Sequence, residues 1–141
     1  MNNITISDIV SKYQNDRFAV DAGRIAHIQM QFAESNPKLM DKIKSFPELI
    51  DFFGSNSRAE VPVAAILRGR FVSRRIDRLV VDHKNKIIKI LDYKTDVNRF
   101  DFRDRYVAQL NEYREILSQI YPKYNIKTYI LWLHDWQLEQ I

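Results

Sequence analysis

The sequence has no cysteine among its 141 residues. That excludes disulfides, thiolate zinc sites and a cysteine nucleophile, and leaves oxygen and imidazole as the only metal ligands. Such ligands favour Mg²⁺ or Mn²⁺. No Gly-x-x-x-x-Gly-Lys string occurs, so ATP-driven unwinding does not reside in this sequence. No apolar run approaches the roughly 20 residues that span a bilayer. The stretch 1–15 lacks the apolar segment of a secretory signal, so no membrane association and a cytoplasmic location are expected. Repeats, low-complexity tracts and Gly/Ser linkers are missing too, and residues 1–141 read as a single domain.

The charge excess is small. Lys and Arg number 22 against 18 Asp and Glu, giving +4 and a pI near 9.3, a mild attraction for a polyanion. The distribution says more: Arg68, Arg70, Arg74, Arg75 and Arg78 crowd one stretch, and Arg99, Arg103 and Arg105 another. Arg68, Arg70 and Arg74 are candidate phosphate contacts.

Periodicity predicts a helix over Val20–Glu34, with Ile25, Ile28 and Phe32 on one stripe and Gly23, His27 and Met30 on its neighbour. A second helical stretch starts at Pro37 and runs to about Phe53, with Pro47 placed to split it. Glu60–Leu67 reads as a strand in which Pro62 implies an edge or a bulge. Phe71–Val81 and Ile87–Tyr93 read as a hairpin with a loop of about five residues. Tyr106, Leu110, Tyr113, Leu117 and Ile120 mark an amphipathic helix over Asp104–Tyr121, and Lys127–Leu133 a last strand. This order predicts an α/β fold with a central mixed sheet flanked by helices.

The chemistry concentrates at Leu91-Asp92-Tyr93-Lys94-Thr95. On a strand Asp92 and Lys94 share a face with Ile88 and Ile90, so a buried apolar face ends in a carboxylate and an ammonium. Buried charges need a partner or a metal. Alone, the triplet is most simply an ion pair at a strand end. Asp77, on the preceding strand, changes that, because a hairpin turning near Asn85 carries it toward Asp92 and Lys94. Two carboxylates can hold divalent cations that polarise a phosphodiester and activate water. A lysine can position that water or offset transition-state charge. His27 could add an imidazole.

Five ordered segments carry a resemblance. Gly23-Arg24-Ile25-Ala26-His27, Glu60-Val61-Pro62-Val63, Arg75-Ile76-Asp77-Arg78-Leu79, Leu91-Asp92-Tyr93-Lys94-Thr95 and Tyr106-Val107-Ala108-Gln109-Leu110-Asn111-Glu112-Tyr113 resemble the motifs of the RecB/AddA branch of the PD-(D/E)xK nucleases. The resemblance implies a restriction-endonuclease-like core and DNA cleavage, in repair or recombination, with Mg²⁺ or Mn²⁺. It implies His27, Asp77 and Asp92 as metal ligands, with the Tyr93 carbonyl as a further one, and Lys94 as the catalytic lysine. Glu60 is an added carboxylate acting through water. Gln109 and Tyr113, four apart on one helix face, would brace the site or touch DNA. Arg74 stands where family members carry glycine, so it crowds the site or adds a phosphate contact. A helicase domain or subunit is the implied partner. Two other readings stay open: a decayed nucleic-acid-binding module of a helicase-nuclease, and a nuclease that also accepts RNA.

Overall fold

The computed structural model describes residues 6–141; the first five residues of the N-terminal stretch lie outside the described residues. The chain begins with helix α1 (Ile6–Gln31), a turn of 3₁₀ helix (Ala33–Ser35), and short helices α2 (Pro37–Lys44) and α3 (Pro47–Ile50). Strands β1 (Ser57–Leu67), β2 (Arg70–Asp82) and β3 (Ile87–Lys94) follow, then helix α4 (Arg99–Ile120) and strands β4 (Asn125–Trp132) and β5 (Gln137–Gln140). The strands form one sheet in sequence order. β1, β2 and β3 run antiparallel in turn, β3 and β4 are parallel across the α4 crossover, and β5 returns antiparallel. The expected α/β fold with a mixed sheet between helices is therefore what forms. Among the described residues no helix is long and apolar enough to cross a membrane.

Local chemistry explains most boundaries. Pro37 and Pro47 both sit in first turns, where a missing N–H costs nothing, so Pro47 does split the second helical stretch. The Asn36 side chain caps α2 by accepting from Leu39 N at 3.2 Å. β1 turns into β2 through Arg68 (φ 48°) and Gly69 (φ 74°), the two positive angles of a type I′ hairpin. The loop after β2 holds His83–Lys86, with Asn85 N donating to Asp82 Oδ1 at 3.0 Å. Pro62 lies on β1, an edge strand, as expected.

Two apolar layers flank the sheet. On one face Leu110, Tyr113, Ile116 and Leu117 of α4 pack against Val63, Ile76, Ile88, Ile90 and Ile130. On the other, Met30, Ala33, Ile43, Leu49 and Phe52 cover Val80, Leu91, Tyr93 and Leu131. α1 is a helix as expected, although it starts earlier, and over its described C-terminal part the face it turns to the sheet is the Gly23-His27-Met30 stripe. Ile25, Ile28 and Phe32 stay more than half exposed. The reason is polar. Arg78, 2% exposed, donates from β2 to the carbonyls of Met30 and Gln31 at 3.0 Å each and to Glu34 at 2.7 Å. It thereby caps the end of α1, whose last turn holds no basic residue of its own. The ring of Phe53 lies 4.3 Å beneath its guanidinium.

Candidate metal-dependent active site

The site forms where the sheet opens. β2 and β3 pair as far as Arg78 and Leu91. One step further the ladder stops, and the Asp77 carboxylate takes the place of a strand carbonyl by accepting from Tyr93 N at 2.8 Å. Beside it, Glu60 on β1 has φ 52°, in the left-handed region that a side chain rarely occupies. The inward face of the hairpin changes sides here. Val61, Val63 and Ile76 lie on the α4 side, whereas Arg78 and Val80 lie on the α1 side. The strain at Glu60 and this reversal let Glu60 and Asp77 turn toward α1 together.

α1 supplies the third group. A Cβ on Gly23 would lie 3.3 Å from Thr95 Oγ1, so glycine lets the helix pass close to the end of β3. One turn on, His27 Nδ1 stands 3.6 Å from Asp77 Oδ1, and its ring meets the Tyr93 ring edge-on at 5.7 Å. His27, Glu60 and Asp77 each offer a ligand atom, all within 4.8 Å of one another.

Asp92 and Lys94 share a face of β3, as strand alternation requires. Asp92 is 3% exposed. Lys94 Nζ lies 2.7 Å from Asp92 Oδ2, yet off the line a hydrogen bond needs, so that oxygen has charge compensation without a directed donor. The ammonium donates instead to Gln109 Oε1 at 2.9 Å and rests 4.2 Å above the Tyr106 ring. Gln109 Nε2 donates to Tyr113 Oη at 2.7 Å, and Tyr113 Oη donates to the Arg75 carbonyl at 3.3 Å. α4 thus ties β3 to β2 through one amide and one phenol. Gln109 and Tyr113 are in bracing positions; Tyr113 is 2% exposed and presents nothing to a ligand.

The electrostatics have one sign. Burial raises the Asp92 carboxyl to about 6, with Asp77 adding and Lys94 opposing. Burial, then Asp77, also raises Glu60. His27 is raised chiefly by Asp77, against the effect of its burial. Burial is the first cause for Asp92 and Glu60, and the neighbouring Asp77 carboxylate raises all three groups. Three convergent donors and a buried carboxylate oxygen with no directed donor fit a hard divalent cation. Two clefts lead in. One, of about 710 Å³, is lined by His27, Lys94, Thr95, Asp96 and Tyr106. The other, of about 570 Å³, is lined by Arg24, His27, Glu60, Arg75 and Asp77.

Of the residues singled out from sequence, His27, Glu60, Asp77, Asp92, Tyr93, Lys94, Gln109 and Tyr113 gather at this end of the sheet. Glu60 stands closer to His27 and Asp77 than its secondary role implied. Asp92 lies outside the three-donor group and faces Lys94. Tyr93 enters the site through its N–H. The arginines disperse. Arg68 pairs with Glu115 at 2.9 Å, and Arg74 with Glu112 at 2.8 and 3.2 Å, both on the α4 side, while Arg70 is exposed beside the hairpin turn. Arg99 pairs with Asp135, and Arg103 with Glu139 at 2.6 Å. Sequence reasoning did not single out Tyr106 as the ring beneath Lys94, nor Arg78 as the cap of α1; each contact joins two separate elements, and no local pattern signals it. No model of a known protein family matches the chain, and no curated protein matches it either.

Proposed function

We propose that the chain is a divalent-metal-dependent nuclease that hydrolyses DNA phosphodiester bonds, of the RecB/AddA kind within the PD-(D/E)xK nucleases. It would act in the cytoplasm, in repair or recombination, beside a helicase domain or subunit. The observation that carries this reading is the convergence of His27, Glu60, Asp77, Asp92 and Lys94 at one opened sheet end, with the Asp92 carboxylate buried.

His27, Glu60 and Asp77 would hold a Mg²⁺ or Mn²⁺ ion, with the Asp92 carboxylate and the Tyr93 carbonyl adjoining. Such an ion supplies Lewis acidity toward the phosphate and lowers the pKa of an attacking water. Lys94 keeps its ammonium fixed between Asp92, Gln109 and the Tyr106 ring, ready to orient that water or balance charge on the phosphorane oxygens. Tyr113 and Gln109 act through Lys94, as positioning residues.

The test is digestion of plasmid, linear duplex, single-stranded DNA and RNA, with and without Mn²⁺. Cleavage of DNA that requires the metal and disappears in Asp92→Ala is expected. Equal digestion by the variant and the wild type would show the site to be misplaced. A folded wild type that binds DNA and never cuts it would favour a binding module.

A further inference from the structure

Beyond Glu60 and Asp77 the β1–β2 hairpin continues with one face that is exposed among the described residues. Past the side reversal, Val61, Val63, Ala65 and Leu67 face α4. Pro62, Ala64 and Ile66 of β1 therefore face the other way, opposite Arg75, Ser73 and Phe71 of β2. All six are exposed. Phe71 is 71% exposed and its cross-strand partner Ile66 is 56% exposed.

Chemistry is arranged in order along this face. Asp77 lies at one end and Arg75 is next, with its side chain 70% exposed and 3.8 Å from Glu60. Ser73 and Phe71 follow, and the exposed Arg70 stands beside the turn. Arg24 of α1 lines the same cleft as Arg75, Glu60, His27 and Asp77. From Asp77 to Phe71 is about 20 Å of extended chain. Cations beside the candidate site and a bare ring further out are the parts of a surface for single-stranded nucleic acid. A phosphate backbone needs arginines, and an unstacked base needs an aromatic face. A duplex buries its base faces in its own stack and gains little from Phe71.

We propose that this hairpin face is a single-strand platform, on which Phe71 stacks against a base while Arg75 and Arg24 hold phosphates beside His27, Glu60 and Asp77. It rests on the nuclease reading and assigns that site its substrate form: a single strand laid along β2. It also moves the phosphate contacts from Arg68 and Arg74, which Glu115 and Glu112 hold at 2.9 and 2.8 Å on the α4 side, to Arg24 and to Arg75, whose contact with Glu60 is longer at 3.8 Å.

Fluorescence anisotropy in Ca²⁺, with a fluorescein-labelled single-stranded oligonucleotide and its duplex, tests this directly. The single strand should bind more tightly than the duplex. Phe71→Leu should weaken single-strand binding roughly tenfold, as loss of one base–aromatic stack does. Phe71→Trp should restore it, and Phe100→Ala, at a ring 95% exposed on α4, should leave it unchanged. Arg24→Ala and Arg75→Ala should each lower the log–log salt slope by about 0.7. Wild-type affinity in Phe71→Leu, or a preference for duplex, overturns the platform. Cleavage in Mn²⁺, measured on the same proteins, separates the two ideas. A wild type that cuts but is indifferent to Phe71 overturns the platform alone. One that binds through Phe71 and never cuts supports the platform and overturns the nuclease reading. One that neither binds nor cuts overturns both.

Discussion

Lys94 and Glu60 carry the sharpest expectations for single side chains. Lys94→Ala removes a fixed cation from beside a buried carboxylate without touching His27, Glu60 or Asp77. Single-turnover cleavage should slow by a factor on the order of 10² or more, as for loss of one preorganised charge. Calorimetric Mn²⁺ binding should persist. Cleavage at the wild-type rate would remove Lys94 from the mechanism. Gln109→Ala leaves the ammonium in place without its carbonyl acceptor, so the loss of rate should be smaller, with Mn²⁺ affinity again retained. Glu60 occupies a backbone conformation that glycine adopts freely and a side chain does not. Glu60→Gly should therefore raise stability by about 1 kcal/mol, the order of such backbone strain. It should weaken Mn²⁺ binding in the same protein. A chemical-denaturation midpoint that falls would mean that the strain is not stored there.

For the elements, the question is what holds α1 against the sheet. Gly23 sets its distance to Thr95, and Arg78 secures its last turn from outside. Arg78→Ala uncaps two carbonyls and empties a buried cation site, which should cost about 3 kcal/mol. Because His27 is carried on α1, Mn²⁺ affinity should drop too, although Arg78 touches none of the proposed ligands. Thermal unfolding and Mn²⁺ titration on this one variant check both halves. Unchanged metal affinity would show that α1 docks without its cap. α4 does comparable work on the opposite face: Leu110, Tyr113, Ile116 and Leu117 anchor it, which leaves Gln109 aligned on Lys94.

Across the whole molecule the proposed metal site is a source of instability until it is filled. Asp92, Glu60 and His27 all hold protons more tightly in the fold than when unfolded. Through these three groups the folded state binds more protons than the unfolded one, whereas Glu34, Asp82 and Glu139, whose carboxyls are lowered, act the opposite way within the carboxylate range. The site's contribution to stability without metal should decline as pH rises from about 4 through 6, and further as His27 loses its proton. A divalent cation replaces those protons, so its affinity should increase over the same range. At a hundredfold excess over its dissociation constant it should add about 2.7 kcal/mol. Melting temperatures between pH 4 and 8, with and without Mn²⁺, read both effects. A metal-free profile that still rises above about pH 5, where the lowered carboxyls are ionised in both states, would contradict the proton affinities assigned to the site.

The sequence by itself determined β1 to β4, the β2–β3 hairpin and the α4 stripe. Alternation, proline and glycine act within a few residues of themselves, and those short distances are printed in the order of the chain. It also placed Asp92 and Lys94 on one face, because strand alternation is rigid, and brought Asp77 toward them, because a hairpin folds back on its neighbour. Other features depended on partners far along the chain. Arg68 and Arg74 look like a basic track until α4 brings Glu115 and Glu112 against them. β5 is four residues long, too short for a pattern, and exists because β4 offers it an edge. The Ile25-Ile28-Phe32 stripe has the stronger apolar period, yet α1 turns it outward. Arg78 and the glycine contact at Thr95 fix the helix by the opposite stripe. Glu60 joined His27 and Asp77 for a reason no local pattern contains: two neighbouring strands reverse their faces at the same level, and only the assembled sheet sets that level.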